Sequence, residues 1–308
     1  MRLVECVPNF SEGRRSSVVA AIRAAAESVP GAALLDVHQD AVHNRSVLTL
    51  AGRAEAVLEA AFRCVREASK QIDMRMQRGE HPRIGAADVV PFVPLGSTTM
   101  ADCVALAQRL GRRIGEELGI PVYLYAEAAS RPERRLLANI RRPQYEGLAS
   151  LIGADPSFAP DFGPATLGSA GATAVGARPF LIAFNVNLAT SDLKVAKSIA
   201  GAIRASSGGL PAVQALGLRT SDPQIVQVST NLLDSSRTPL HVLFEAIRNE
   251  ASRRGVAILE SELVGLLPAE ALAATGRQAL SARELTAEQV MEARLLDAWL
   301  REPLRDST

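Results

Sequence analysis

The chain predicts an α/β (α+β) fold made of two ferredoxin-like subdomains, each a mixed or antiparallel sheet with helices on its outer face. A length of 308 residues suggests two domains. Apolar residues, 47% of the chain, recur at strand and helix spacings in short alternating segments. The order strand, helix, strand, strand, helix, strand in the first half recurs in the second. The predicted boundary divides residues 1–177 from residues 178–308.

Taken in order, Leu3 to Val7 is a strand ending at Pro8, and Asn9 to Gly13 is a turn. Ser16 caps a helix whose inner face is Val18, Ile22, Ala25 and Val29, stopped by Pro30-Gly31. Ala33 to Val37 and Val47 to Ala51 are strands flanking the polar stretch Asp36 to Arg45. A second helix carries Val57, Ala61, Cys64, Ala68 and Ile72 inward. Val89 to Val93 is the next strand. Thr99 and Asp102 form a capping box for a helix ended by Gly119, and Val122 to Tyr125 is a strand. Glu127 to Leu148, rich in arginine, reads as a solvated helical face.

Pro160 to Pro179 has glycines at 163, 168, 171 and 176. It reads either as a flexible linker joining the halves or as a segment built to pack closely. The second half then runs strand Phe180 to Asn185, helix Ser191 to Arg204, and strands Val213 to Leu218 and Ile225 to Thr230. A helix capped by Thr238 with Pro239 at its first position follows, then strand Val256 to Glu260. Beyond Leu266 the chain is helical; Trp299 docks the last helix and Arg305 to Thr308 is a frayed tail.

Thirty-four basic against thirty-three acidic residues leave a charge of +1, and no basic block calls for nucleic acid. No apolar run is long enough for a membrane span, and MRLVECVPNF lacks a signal-peptide pattern. Cys6, Cys64 and Cys103 are odd in number and far apart, which fits a reducing cytoplasm rather than a disulfide framework. No cysteine or histidine pair has zinc-site spacing; His38 and His43 lack a third ligand, and no metal is expected.

The candidate site centres on Glu80-His81-Pro82-Arg83. Proline holds the preceding residue extended, so His81 is presented from a loop entering the strand at Val89. Imidazole can take and give a proton near neutral pH. No Gly-x-Ser-x-Gly elbow supports a hydrolase reading.

ECVPNFSEGR, LLDVHQDAVHNRSVLTLAG, GEHPRIGAADVVPFVP, GIPVYLYAEAA, RPQYEGL, PDFGP, GATAVGARPFLIAFNVNL and QVSTNLLD together resemble the glutamate formimidoyltransferase family, from near Val4 to near Leu266. The resemblance implies transfer of a formimino group from N-formimino-L-glutamate to N5 of tetrahydrofolate, a co-substrate, in histidine degradation. It also implies a double β/α sandwich bounding a folate tunnel, and a homodimer. The catalytic histidine corresponds to His81, with Asp40 as second choice for orienting an imidazole or binding the formimino cation. The folate segment corresponds to Phe162, Gly163, Pro164, Ala165, Thr166, Leu167, Gly168, Ser169, Ala170 and Gly171. Arg45, Arg83 and Arg178 flank the motifs and are candidates for the substrate carboxylates.

Animal members read Ser-Trp-Gly where this chain has Ser169-Ala170-Gly171 and is one residue shorter, so an indole stacking surface is missing. Animal members also carry a fused cyclodeaminase, which this chain is expected to lack and to need from a separate protein. Formyl transfer between 5-formyltetrahydrofolate and glutamate, or folate binding without catalysis, are the competing readings.

Overall fold

The computed structural model describes residues 2–79, 82–291 and 293. His81, Trp299 and the tail from Arg305 lie outside the described residues. The chain divides into two compact units, Met1–Pro179 and Phe180–Thr308.

The first unit runs β1 (Leu3–Cys6), β2 (Asn9–Phe10), α1 (Ser16–Glu27), β3 (Ala32–Asp40), β4 (Arg45–Arg53), α2 (Ala54–Gln71), β5 (Ala87–Leu95), α3 (Met100–Leu118), β6 (Val122–Ala126), α4 (Leu137–Arg141), α5 (Gln144–Leu151) and β7 (Thr173–Ala177). Its seven strands form one sheet. β1 and β2 both lie between β4 and β5, antiparallel to each, so they are one strand interrupted at Val7-Pro8. Proline has no N–H to give to a ladder, and the strand resumes beyond it. Asn9-Phe10, expected as a turn, is therefore strand. β3 pairs with β4 at one edge. On the far side β7 lies parallel to both β5 and β6.

Side-chain alternation gives this sheet two different faces. Val4, Cys6, Phe10, Leu48, Leu50, Val90 and Phe92 face α1, α2 and α3, and close the main core with Ile22, Val57, Ala61, Leu110 and Ile114. Cys64 and Cys103 belong to that core, and all three cysteines are free and buried. The other face carries a smaller cluster of Ile84, Val89, Tyr123, Tyr125, Ile140, Leu148 and Ala174.

The Gly-rich segment belongs wholly to the first unit and is no linker. β7 arises from it and is fully buried. Glycine is required at Gly176, where a Cβ would fall 2.5 Å from the Tyr125 ring.

Helix starts were only partly foreseen. Thr99 and Asp102 do form the capping box of α3, and Gly119 ends it at φ 63°. α1 instead begins with Arg15 as its cap, and Ser16 makes no cap bond. The Glu12 carboxylate instead fixes the chain just before the helix, accepting from the backbone N–H groups of Arg14 and Arg15 at 2.9 Å each.

The stretch from Glu127 to Leu148 is not simply a solvated helix. Arg134 is 3% exposed. It donates to Asp161 at 2.8 Å and to the carbonyls of Ser157 and Ala159. Arg141 is paired with the buried Asp88. Arg134 is buried and Arg141 half-buried, each against a carboxylate distant in sequence.

The second unit runs β8 (Ile182–Leu188), α6 (Leu193–Ile203), β9 (Val213–Arg219), β10 (Val226–Leu232), α7 (Leu240–Arg253), β11 (Ile258–Val264) and α8 (Ala269–Ala279). Its sheet order is β11-β8-β10-β9, all antiparallel. The first unit shows the same arrangement in β5-β1-β4-β3, so the ferredoxin-like order read twice in the sequence is built twice. β8 and β10 alternate buried residues with half-buried or exposed ones, with Phe184, Val186, Val228 and Leu232 facing α6 and α7. Thr238 does not cap α7; its hydroxyl donates to the Pro211 carbonyl at 2.6 Å, and Pro239 occupies the cap position. No helix among the described residues is long and apolar enough to cross a membrane.

Candidate active site

The second face of the first sheet gathers polar side chains, Glu5, Asn9 and Arg45 by alternation and Asp88 at the register shift between β2 and β5. Glu5 comes from β1, Asn9 from β2, Arg45 from β4 and Asp88 from β5. The Arg45 guanidinium donates to Asn9 Oδ1. Burial, then the neighbouring charge of Arg141, pushes the Arg45 pKa down to about 10, against Asp88 and Asp40. Glu5 is buried, and its carboxyl is pushed up by that burial while Arg178 acts against it. Tyr125 is likewise raised by burial, opposed by Arg178 and Arg141. Arg45 and Arg178 thus share one electrostatic network. Glu5, Asp88, Tyr125 and Arg141 were missed as site residues, because only the sheet register brings them together.

Loops converge at one end of this sheet. The turn after β3 is held by Asp40, whose Oδ1 accepts from the N–H groups of Val42 and His43 at 2.8 and 2.9 Å. Its Oδ2 lies 2.5 Å from His43 Nδ1. Among the described residues the imidazole beside Asp40 is that of His43. Asn44, with φ 50°, accepts from Gly13 N–H at 2.9 Å and donates to the Arg78 carbonyl at 2.8 Å. Gly79 presses against the same turn: a Cβ there would fall 2.5 Å from the His43 carbonyl. The chain just before residue 80 is therefore fixed to the Asp40–His43 turn.

Just after residue 81, Arg83 is 5% exposed and its donors are taken by the chain itself. Nε donates to Gln77 Oε1 at 2.7 Å. Nη1 donates to Gln144 and to Glu146 at 3.1 and 2.9 Å. Nη2 donates to the Gln77 carbonyl and to Glu146 at 3.1 and 2.7 Å. Every guanidinium nitrogen has a partner, so a substrate carboxylate would have to displace Glu146. Arg83 serves here as the anchor of the loop. Beside it lies a cavity of about 490 Å³ lined by Arg14, Arg78, Gly79, Arg83, Pro143, Gln144 and Glu146. Arg14 and Arg78 were not singled out in the sequence.

The segment 162–171 has two anchored ends. Phe162 and Gly163 dock on α3, where a Cβ at Gly115 would fall 2.6 Å from Gly163 N. At the other end Ser169 accepts from Met74 N–H at 2.7 Å and Ala170 accepts from Ala86 N–H at 2.8 Å. Ala172 N–H donates to the Ile84 carbonyl at 2.9 Å, and Gly85 bridges Gly171. Between the ends, Pro164, Ala165 and Thr166 are exposed, and Gly168 has no atom within 4 Å of where a Cβ would stand. Arg178 follows β7 at its far end from this segment, with its N–H on the Phe92 carbonyl at 3.0 Å.

The Asp40–His43 pair has a testable pH signature. Burial raises the Asp40 carboxyl, but the bonds from His43 and Val42 outweigh it and leave the pKa below the ordinary 3.8. A depressed carboxyl stabilises the fold above the unfolded value, and that contribution disappears as pH falls through the folded value. The expected result is that Asp40→Asn lowers Tm at neutral pH and shows a shallower acid decline below about pH 4 than the parent. Parallel acid limbs in thermal melts would show that Asp40 is not so linked.

Among the described residues no group of histidine, cysteine, aspartate and glutamate is arranged to hold a metal ion.

The two halves match two parts of one family. Residues 3–178 match the formiminotransferase domain, N-terminal subdomain, and residues 183–296 match the formiminotransferase domain. Glutamate formimidoyltransferase of Thermoplasma acidophilum is 53% identical over 274 residues, covering 88% of this chain and 90% of that protein. The glutamate formimidoyltransferase of Streptococcus pyogenes serotype M1 is 47% identical over 272 residues, covering 88% and 91%. Formimidoyltransferase-cyclodeaminase of Rattus norvegicus is 46% identical over 278 residues, covering 88% of this chain and 51% of that protein. With both units matched and two glutamate formimidoyltransferases covered to 90% and 91% of their length, the chain belongs to the formiminotransferase family.

Proposed function

We propose that this protein is a glutamate formimidoyltransferase. It moves the formimino group of N-formimino-L-glutamate to N5 of tetrahydrofolate and releases L-glutamate and 5-formiminotetrahydrofolate. The observation that carries the reading is the similarity to named glutamate formimidoyltransferases over about nine-tenths of their length.

N5 attacks the amidine carbon and a tetrahedral intermediate forms. The bond from that carbon to the glutamate nitrogen then breaks. N5 sheds a proton and the leaving nitrogen gains one, so a single imidazole can serve as base and then acid. His81 is assigned that role. The anchoring of Gly79 and Arg83 on either side of it supports the assignment, because proton transfer depends on a held geometry. Asp40 is assigned to orienting an imidazole, supported by its contact with His43. The segment from Phe162 to Gly171 is assigned to tetrahydrofolate, supported by its exposed middle and its bonds to Ile84 and Ala86. Arg45 and Arg178, on the polar sheet face, remain the candidates there for a carboxylate.

Around this activity the reading places a homodimer in the cytoplasm, acting in histidine degradation. A cyclodeaminase takes up the 5-formimino product. The proton transfers need side chains alone, and no metal is assigned.

The competing formyl chemistry is separated by rates measured side by side. N-formimino-L-glutamate with tetrahydrofolate is expected to turn over faster than 5-formyltetrahydrofolate with L-glutamate. The reverse ranking would transfer the assignment to formyl transfer.

A further inference from the structure

We propose that Arg14 and Arg78 form a receptor for the paired carboxylates of a glutamyl group, in the cavity beside Arg83. The glutamyl identity rests on the transferase reading above; the anion chemistry does not. Three arginines and one glutamate line this cavity of about 490 Å³, an excess of two positive charges. Arg83 and Glu146 answer each other in a two-pronged ion pair. That leaves Arg14 and Arg78.

Both are aimed by backbone carbonyls, which orient a guanidinium without neutralising it. Arg14 Nε donates to the Ala41 carbonyl at 2.9 Å. Arg78 Nη1 donates to the carbonyls of Arg75 and Gln77 at 3.0 and 2.7 Å. Nearby carboxylates among the described residues are committed elsewhere: Glu12 to Arg15, Asp73 to Arg75, and Asp40 to His43. Arg78 is the weaker partner of Glu146, felt at a distance behind the contact with Arg83.

The supports are rigid. The Arg78 carbonyl is tied to Asn44, and Arg14 is tied to the turn that holds Asp40 and His43. Two preset guanidinium groups suit a dicarboxylate, since each can grip one carboxylate with parallel N–H bonds. Gly79 lines the same wall, so a glutamyl group seated here lies beside the loop that carries residue 81.

A glutamyl group can come from the amino-acid donor or from the tail of the folate. Calorimetric titration of the full chain with L-glutamate, and separately with tetrahydrofolate, distinguishes them. Arg14 and Arg78 are exposed, so Arg14→Gln, Arg78→Gln and the double variant are expected to keep the parental Tm. Each single variant is expected to weaken L-glutamate binding roughly tenfold, the size of one lost charge-assisted contact. Arg14→Lys and Arg78→Lys are expected to recover part of the affinity. In the parent, L-glutamine, lacking the side-chain carboxylate, is expected to bind more weakly by a similar factor. A loss confined to tetrahydrofolate would keep the receptor and assign it to the folate tail. Parental affinity for both ligands in a folded double variant would overturn the proposal. Arginine-dependent glutamate binding in a protein without turnover would sink the transferase reading and leave this site standing.

Discussion

Replacing His81 with asparagine is expected to lower kcat by roughly a hundred- to ten-thousand-fold, the usual contribution of a positioned acid–base group. KM for both substrates and Tm are expected to stay near parental values. Among the described residues, contacts on either side of residue 81 hold this loop. Gly79 abuts the His43 carbonyl, and Arg83 is bonded to Gln77, Gln144 and Glu146. Asparagine keeps a polar side chain of similar reach and cannot carry the proton. Steady-state kinetics with both substrates varied would check this, beside a thermal melt. An unchanged kcat would remove His81 from proton transfer; a collapsed Tm would assign it a structural role.

The second large effect is expected at Gly85→Ala. A Cβ at Gly85 would fall 2.0 Å from the Ala172 carbonyl oxygen and 2.9 Å from that of Ala170. Both obstacles are backbone, so no side chain can swing aside. The strand start at β7 and the segment 168–171 must move, and the bonds Ala86 N–H to Ala170 and Ala172 N–H to Ile84 are strained with them. Overpacking of this kind costs roughly 3 kcal/mol. Urea unfolding is expected to show that loss, and tetrahydrofolate binding to weaken along with it. Gly168→Ala is the matched control. Its Cβ would meet no atom within 4 Å, so stability is expected to stay within about 0.5 kcal/mol of the parent. If Gly85→Ala were as stable as Gly168→Ala, the tight junction between the His81 loop and the 162–171 segment would be wrong.

The physical basis of these two predictions explains what could be read from the residues in advance. The start and end of α3 were legible because capping is local: Thr99 meets Asp102 within one turn, and Gly119 supplies the left-handed stop. The repeated ferredoxin-like order was legible because apolar periodicity marks each element. Cys64 and Cys103 were placed in the core by helical spacing alone.

Features set by distant partners were not legible. Arg134 and Arg141 looked solvated because Asp161 and Asp88 meet them only after folding. β7 was obscured by its glycine, whose value lies in the approach of the Tyr125 ring rather than in strand propensity. Asn9-Phe10 read as a turn because Pro8 breaks the pattern of a strand that in fact continues.

The site divides in the same way. The loop around residue 81 and the segment 162–171 stood out as motifs, and bonds from Ile84 and Ala86 join them. Arg83 stood out too, but its guanidinium is occupied by Gln77, Gln144 and Glu146. Arg14 and Arg78 did not stand out, because only the convergence of the turns at Gly13, Asn44 and Gly79 brings them to one cavity.

The most direct measurement is a turnover assay on the purified full chain with N-formimino-L-glutamate and tetrahydrofolate. Acid converts the 5-formimino product to the methenyl form, which is read by its absorbance. The account predicts accumulation that requires both substrates and slows by roughly a hundred- to ten-thousand-fold with His81→Asn. A folded protein that binds both substrates and forms no 5-formimino product would contradict it.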